Sequence, residues 1–230
     1  LERDPGLAED PVLRRLLLEL AIVWADFERM LRATPIIRRI DAGQASIGDY
    51  QMLLRNLRQQ VMEGARWIAR AASNVSVELF PIRSIFISHA GDEHRDFQML
   101  ERDYVAVGGA LEEILGAPKN IGSEALSAFM FHRASQPDPL DLLGAMFVIE
   151  GLGRIKAGQW AKALRQQLAL TDEQLSFLHY HGLNDDNHFD RLREVLESGV
   201  VDDGVATRIV KTARVVARLY ALQLEEMDNS

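Results

Sequence analysis

Apolar residues in this chain recur every three or four positions over almost its whole length, and they never alternate for long enough to suggest a sheet. That spacing gathers them on one face of successive helices. A helix with one apolar face must bury it against others, so the expected fold is all-α, a helical bundle. With 230 residues, 47% of them apolar, the chain can build a sizeable core. Even composition, short loops and the lack of a fixed-period repeat place residues 1–230 in a single helical domain.

Capping signals mark the helices. Asp10-Pro11 offers an N-cap followed by proline at the first helical position, opening a helix to about Arg32. Ser46 and Asp49 form a capping pattern for a second, to about Ser73. The spacing predicts a third helix from Pro81 to Val107, stopped by Gly108-Gly109, and a weaker one over Ser123 to Ala134. After the loop 135-SQPDP-139, a long helix runs from Leu140 to about Leu168. Thr171 with Gln174 caps the next, which ends near Ser198-Gly199, and a last helix covers about Gly204 to Glu226.

Two of these helices interrupt their apolar stripe with ionisable residues. On the third, Ile82, Phe86, His89, Glu93, Asp96, Leu100, Tyr104 and Val107 follow one another at steps of three or four. On the helix containing 179-HYHGLNDDNH-188, the corresponding run is Leu178, His181, Asp185, His188, Leu192 and Val195. At about 100° per residue, the three ionisable groups of the second run fall within an arc of roughly 60°. The segment 142-LLGAMFVIEGLG-153 adds Glu150, its one charged residue. A carboxylate in such a run is expected to be buried, and a buried charge needs a partner.

A cation shared by several of these groups would remove the cost of burying them, which is several kcal/mol for each unpaired charge. Histidine and carboxylate donors suit iron or manganese. Cysteine is missing altogether, which excludes disulfides, zinc–thiolate sites, iron–sulfur clusters and thiol nucleophiles. The expected metal ligands are therefore His89, Glu93, Asp96, Glu150, His181, Asp185 and His188, enough for one iron or for two bridged by carboxylates. The competing readings are structural: a hydrated face for the late triple, ion pairs to Arg83 or Arg95 for the early one, and an i,i+4 pair with Arg154 for Glu150. His94, His132 and His179 fall off the stripes and read as surface or supporting groups. Glu63 shares a face with Gln60 and Trp67, which fits either a pocket lining or exposed helix surface, with exposed surface the expectation. Leu16, Leu20, Val23 and Phe27 read as core.

The combination of H-x3-D-x2-H on a late helix with a glutamate in a "VIEG" run about thirty residues earlier resembles the haem-oxygenase-like superfamily. Within it, the non-haem di-iron oxidases and oxygenases related to TenA are the nearest in pattern, over roughly residues 46–197. The resemblance implies ligands from three helices of a bundle. His181, Asp185 and His188 match the late triple, and Glu150 the middle glutamate. The early helix of that family supplies a glutamate and, seven residues on, a histidine; here those positions hold His89 and Asp96, with Glu93 between them. Haem-degrading members use a histidine in the first helix, and this chain has none before His89. Thiaminase-type members use a cysteine.

The resemblance implies an oxidoreductase in which one or two iron ions, with manganese as the other candidate, activate O2 toward a small molecule such as an amino acid or fatty acid. The alternative from a different class is a metal-free helical binding or interaction protein of the same fold. Net charge is −8, and nucleic acid and anionic membranes both require a basic footprint, so neither is expected as a partner. No apolar run reaches the ~18–20 residues of a membrane span, and no signal peptide is visible. Phosphate-binding, dinucleotide and nucleophile-elbow motifs are missing as well. A cytoplasmic protein is expected, although a start at Leu1 is compatible with a targeting segment upstream. A homodimer is the expected assembly for such a bundle.

Overall fold

Where the sequence offers a cap, the backbone takes it. In the computed structural model, which describes residues 10–229 except for the side chains of residues 184–189, the Asp10 carboxylate accepts from the Val12 and Leu13 amides. Helix α1 (Pro11–Ala33) starts there and α2 (Pro35–Asp41) follows at once, with Pro35 at its first position. Ser46 and Asp49 close a reciprocal capping box at the head of α3 (Ile47–Asn74). The long helix expected over 81–107 divides into α4 (Phe80–Glu93) and α5 (Phe97–Ala106). Residues 94–96 hold no glycine or proline, and His94 and Asp96 keep right-handed helical dihedrals. What changes is the hydrogen bonding, which tightens to i→i+3 from Glu93 to Met99. Periodicity alone cannot register this, because the apolar stripe runs straight through.

A short α6 (Leu111–Gly116), like α2, has no counterpart among the sequence expectations. Next, α7 (Ile121–Ala134) begins two residues before the expected Ser123, because Asn120 accepts from the Ser123 amide as its N-cap. The long helix from Leu140 is a near-continuous rod with a changing hydrogen-bond pattern. A 3₁₀ turn (Leu140–Leu142) leads into α8 (Leu143–Leu152), a π-helical stretch (Gly153–Ala157) and α9 (Gly158–Leu168). The last helices are α10 (Ser176–Glu197) and α11 (Asp203–Glu225), the latter capped by Asp202.

Among the described residues every element is helical. Helix α3 packs along α4, α5 and α7, while α11 lies across α1, α7 and α8. The core between them is built from large side chains with almost no exposure, among them Phe27, Tyr50, Leu53, Leu54, Phe86 and Leu100. Leu16, Leu20, Val23 and Phe27 belong to it as expected. Two glycines let α11 approach its neighbours: a Cβ on Gly122 would lie 2.2 Å from the Gln223 nitrogen, and one on Gly144 would lie 2.1 Å from the Ile209 carbonyl oxygen. No described helix is long and apolar enough to cross a membrane.

Helix α10, which bears the second interrupted stripe, packs on α8, the π-helical stretch, α9, α5 and α4. Its first turn is held by a residue from another helix: the buried Asp103 of α5 accepts from Ser176 Oγ at 2.6 Å and from the Phe177 amide at 3.0 Å. The expected Thr171–Gln174 contact forms just before it, with the Thr171 amide donating to Gln174 Oε1 at 3.0 Å.

Candidate metal centre

The interruptions in the apolar stripes meet at one place. His89 and Glu93 stand on the last turn and a half of α4, Asp96 in the tightened turn between α4 and α5, Glu150 near the end of α8, and His181 on the second turn of α10. Each stands on or beside an element whose remaining stripe is packed in the core. His89 Nε2 lies 3.1 Å from Glu150 Oε1 and 4.0 Å from Glu93 Oε1. Potential donor atoms of His89, Glu93 and Glu150 all lie within 4.8 Å of one another, the one such group among the described residues. Beside them, His181 Nε2 is 3.5 Å from Asp96 Oδ2. Side-chain exposure is 4% for His89, 7% for Glu150, 9% for Asp96, 10% for His181 and 14% for Glu93.

Asp185 and His188 were expected to complete this set. They lie on α10, and their side chains fall outside the described residues. Of the arginines weighed for the early triple, Arg83 donates to the Val75 carbonyl, and His89 Nε2 faces Glu150. His94 and His132 are exposed, and the half-buried His179 has Nε2 3.1 Å from the exposed Asp172.

Electrostatics identify this as a costly place. Burial pushes the Glu93 carboxyl up to about 7, and the nearby Glu150 carboxylate adds to the shift. His181 and His89 pull it down in part, and Asp96 raises it again. Two buried carboxylates facing each other are an arrangement that a cation relieves, because it makes the charged form of both favourable. The donor types fit that role: imidazole nitrogen and carboxylate oxygen, with no thiolate, suit iron or manganese.

A cavity of about 70 Å³ opens directly on the cluster, with Glu93, Glu150 and His181 in its wall. The rest is mostly apolar: Leu57 and Val61 from α3, Ile149 and Leu152 from α8, Trp160 from α9, Phe177 and Leu178 from α10. Gly153 and Ala157 line it from the π-helical stretch. π-Turns inside α-helices occur often at functional sites, where the extra residue redirects side chains. Close packing of α10 where that stretch joins α9 involves Gly182, whose Cβ would lie 3.0 Å from the Gly158 nitrogen.

Three residues of α3 correct the expectation of exposed surface. Trp67 is buried, and Gln60 lines the cavity, the alternative its face also allowed, together with Tyr220 of α11. On the same helix Glu63 is also buried, paired with Lys119 Nζ at 2.6 Å, a cation that only the chain's return toward α7 brings near. Trp160, Phe177 and Tyr220 went unnoticed because their spacing is that of any core residue. No local signal separates a side chain beside a cavity from one beside another helix.

A sequence-family model described as "iron-containing redox enzyme" matches residues 84–221. No curated protein matches the sequence. Among solved structures, a domain of unknown function with a haem-oxygenase-like fold from Shewanella denitrificans superposes with a TM-score of 0.84 at 20% identity, covering 91% of this chain and 90% of that one. A TenA homologue from Pseudomonas syringae gives 0.75 at 13% identity over 100% and 99% of the two chains. Haem oxygenase from Leptospira interrogans gives 0.71 at 16% identity over 92% and 98%. At these identities the likeness is one of fold, and the fold is the haem-oxygenase-like helical one.

Proposed function

The chain belongs to the iron-containing redox enzyme family, and on that premise we propose that it is a non-haem oxidase or oxygenase acting on a small molecule held beside the buried cluster. The observation that carries this reading is the convergence of His89 and Glu93 from α4 with Glu150 from α8, beside an apolar cavity that Glu93 and Glu150 line. Iron, one ion or two, with manganese as the other candidate, would supply the binding and reduction of O2 there.

The chain's own residues would do the rest. His89, Glu93 and Glu150 would hold the metal, with Asp96 and His181 adjacent and Asp185 and His188 assigned by the sequence pattern. Glu93 releases its proton when a cation binds, since the cation reverses the balance that keeps the carboxyl protonated up to about pH 7. The apolar walls hold the organic substrate against the carboxylate–histidine end and limit access of bulk water. Amino acids and fatty acids are the substrate classes that the family resemblance suggests.

Elemental analysis of protein purified from iron-replete cells, together with an oxygen electrode, tests the assignment. One or two irons per chain and Fe(II)-dependent O2 consumption are expected. Both should be lost in Glu150→Ala and Asp185→Ala, with the circular dichroism of the fold unchanged. Metal-free protein whose stability does not respond to Fe(II) would instead make this a helical binding protein of the same fold.

A further inference from the structure

Helix α4 is apolar on both sides. Its inner stripe carries Ile82 and Phe86 into the core and brings His89 and Glu93 to the cluster. Its outer face looks to solvent and is hardly less apolar. Phe80 is 60% exposed and Ile87 59%, and Val77, in the 3₁₀ turn just before α4, is 67% exposed. No exposed residue between Glu78 and Asp92 is charged. At about 100° per residue, Phe80, Ser84, Ile87, Ser88 and Gly91 share an arc of roughly 100° on the side opposite His89 and Glu93. The Ser84 hydroxyl is already used, donating to the Phe80 carbonyl at 3.1 Å. A helix that is apolar all round is normally buried all round, and an exposed patch of this kind marks an interaction surface.

The pattern of this face fits a copy of itself. Its midpoint lies between Ile85 and Phe86. Phe80 and Gly91 stand equally far from that point on opposite sides, and so do Ile87 and Ser84. Two α4 helices packed antiparallel about a two-fold axis through it set Phe80 of each copy against Gly91 of the other, and Ile87 against Ser84, a large side chain against a small one each time. Nothing within the chain accounts for Gly91. A Cβ there would meet no atom within 4 Å, and glycine weakens a helix relative to alanine. The two ends of the face also carry opposite charges. Glu78 and Arg95 are exposed, and among the described residues neither forms an ion pair, whereas Asp92 is taken up by Arg191 of α10. The same antiparallel arrangement brings Glu78 of each copy near Arg95 of the other. We propose that the chain forms a two-fold dimer through the outer face of α4. The contact leaves the two clusters back to back, each on the far side of its own α4. It requires no metal, so its test is separate from that of the oxidase reading.

Sedimentation equilibrium over micromolar to hundred-micromolar loading tests the proposal. The mass should rise from 25.9 kDa toward twice that value. Ile87→Asp puts a carboxylate near the axis and should leave the chain monomeric over the same range, with its circular dichroism unchanged. Glu78→Arg and Arg95→Glu should each weaken association about tenfold, because two-fold symmetry makes every substitution count twice, and the double reversal should restore it to within about threefold. The chain has no cysteine, so Ser84→Cys would carry its one thiol. A short bifunctional maleimide should join that variant to its copy and should not join Lys211→Cys, an exposed position on α11. A monomer at every concentration would overturn the proposal, and cosedimentation of that monomer with phosphatidylcholine vesicles would assign the face to a lipid surface instead. A dimer that survives Ile87→Asp, a double reversal no tighter than the single ones, or cross-linking through Lys211→Cys and not Ser84→Cys would overturn it too.

Discussion

Glu93 shows how a single side chain records the cost of the site. Its carboxyl is raised to about 7, first by burial and then by Glu150, whereas in the unfolded chain it titrates near the usual ~4.3. Between those values the folded, metal-free chain binds more protons at this position than the unfolded one. Stability from Glu93 is therefore fully present below about pH 4.3 and is lost as pH rises through about 7. Urea titrations of metal-free protein across this window should show falling stability, and Glu93→Gln should flatten the slope. A slope unchanged in Glu93→Gln would mean that the carboxyl is not the titrating group. Fe(II) should have the opposite pH dependence, binding more weakly as Glu93 takes up its proton. His89 and Glu150 belong to the same account. They face each other at 3.1 Å, so Glu150→Ala should remove a polar neighbour of His89 Nε2 while changing little of the apolar packing.

At the scale of the helix, the site depends on how α10 is anchored. Its first turn ends on Asp103, and its packing where the π-helical stretch joins α9 involves Gly182. Loss of a side-chain cap costs about 1 kcal/mol, and this cap is buried, so Asp103→Ala should cost at least that in chemical denaturation. It should also weaken Fe(II) binding, since His181 lies on the second turn of the same helix. Gly182→Ala should act on the site with less effect on global stability. Its Cβ would lie 3.0 Å from the Gly158 nitrogen, so α10 and the start of α9 have to part by a few tenths of an ångström, a shift expected to reach His181 one residue away. An Fe(II) affinity unchanged in both variants would show that α10 is not needed to hold the metal. Helix α4 poses the complementary case. Its stripe continues into α5 without a gap in the pattern, yet the tightened turn at 94–96 separates the two, and Asp96 sits where they join, 3.5 Å from His181.

For the molecule as a whole, a ligand specific to the folded state stabilises it by mass action. Fe(II) at a hundred times its Kd should add about 2.7 kcal/mol, a rise in melting temperature of roughly 5–10 °C for a chain of this size. Differential scanning calorimetry under anaerobic conditions measures this directly. A chelator should reverse the shift, and an unchanged transition would remove iron from the account. The all-α fold was legible in the residues themselves, because helical periodicity and capping are local: Asp10, Ser46, Thr171 and the i, i+3, i+4 stripes act over distances of one or two turns. The same locality made an inward orientation of His89, Glu93, Asp96, Glu150 and His181 the expectation, since each stands on or within an apolar run, although a hydrated face or ion pairs fitted the pattern too. What no local pattern contains is the partner. The pairing of His89 with Glu150, of Asp96 with His181 and of Glu63 with Lys119, and the gap that leaves Gln60 and Tyr220 beside a cavity, come from how helices distant in sequence pack. Side-chain volume across the entire core decides that packing, so only the tertiary structure specifies it.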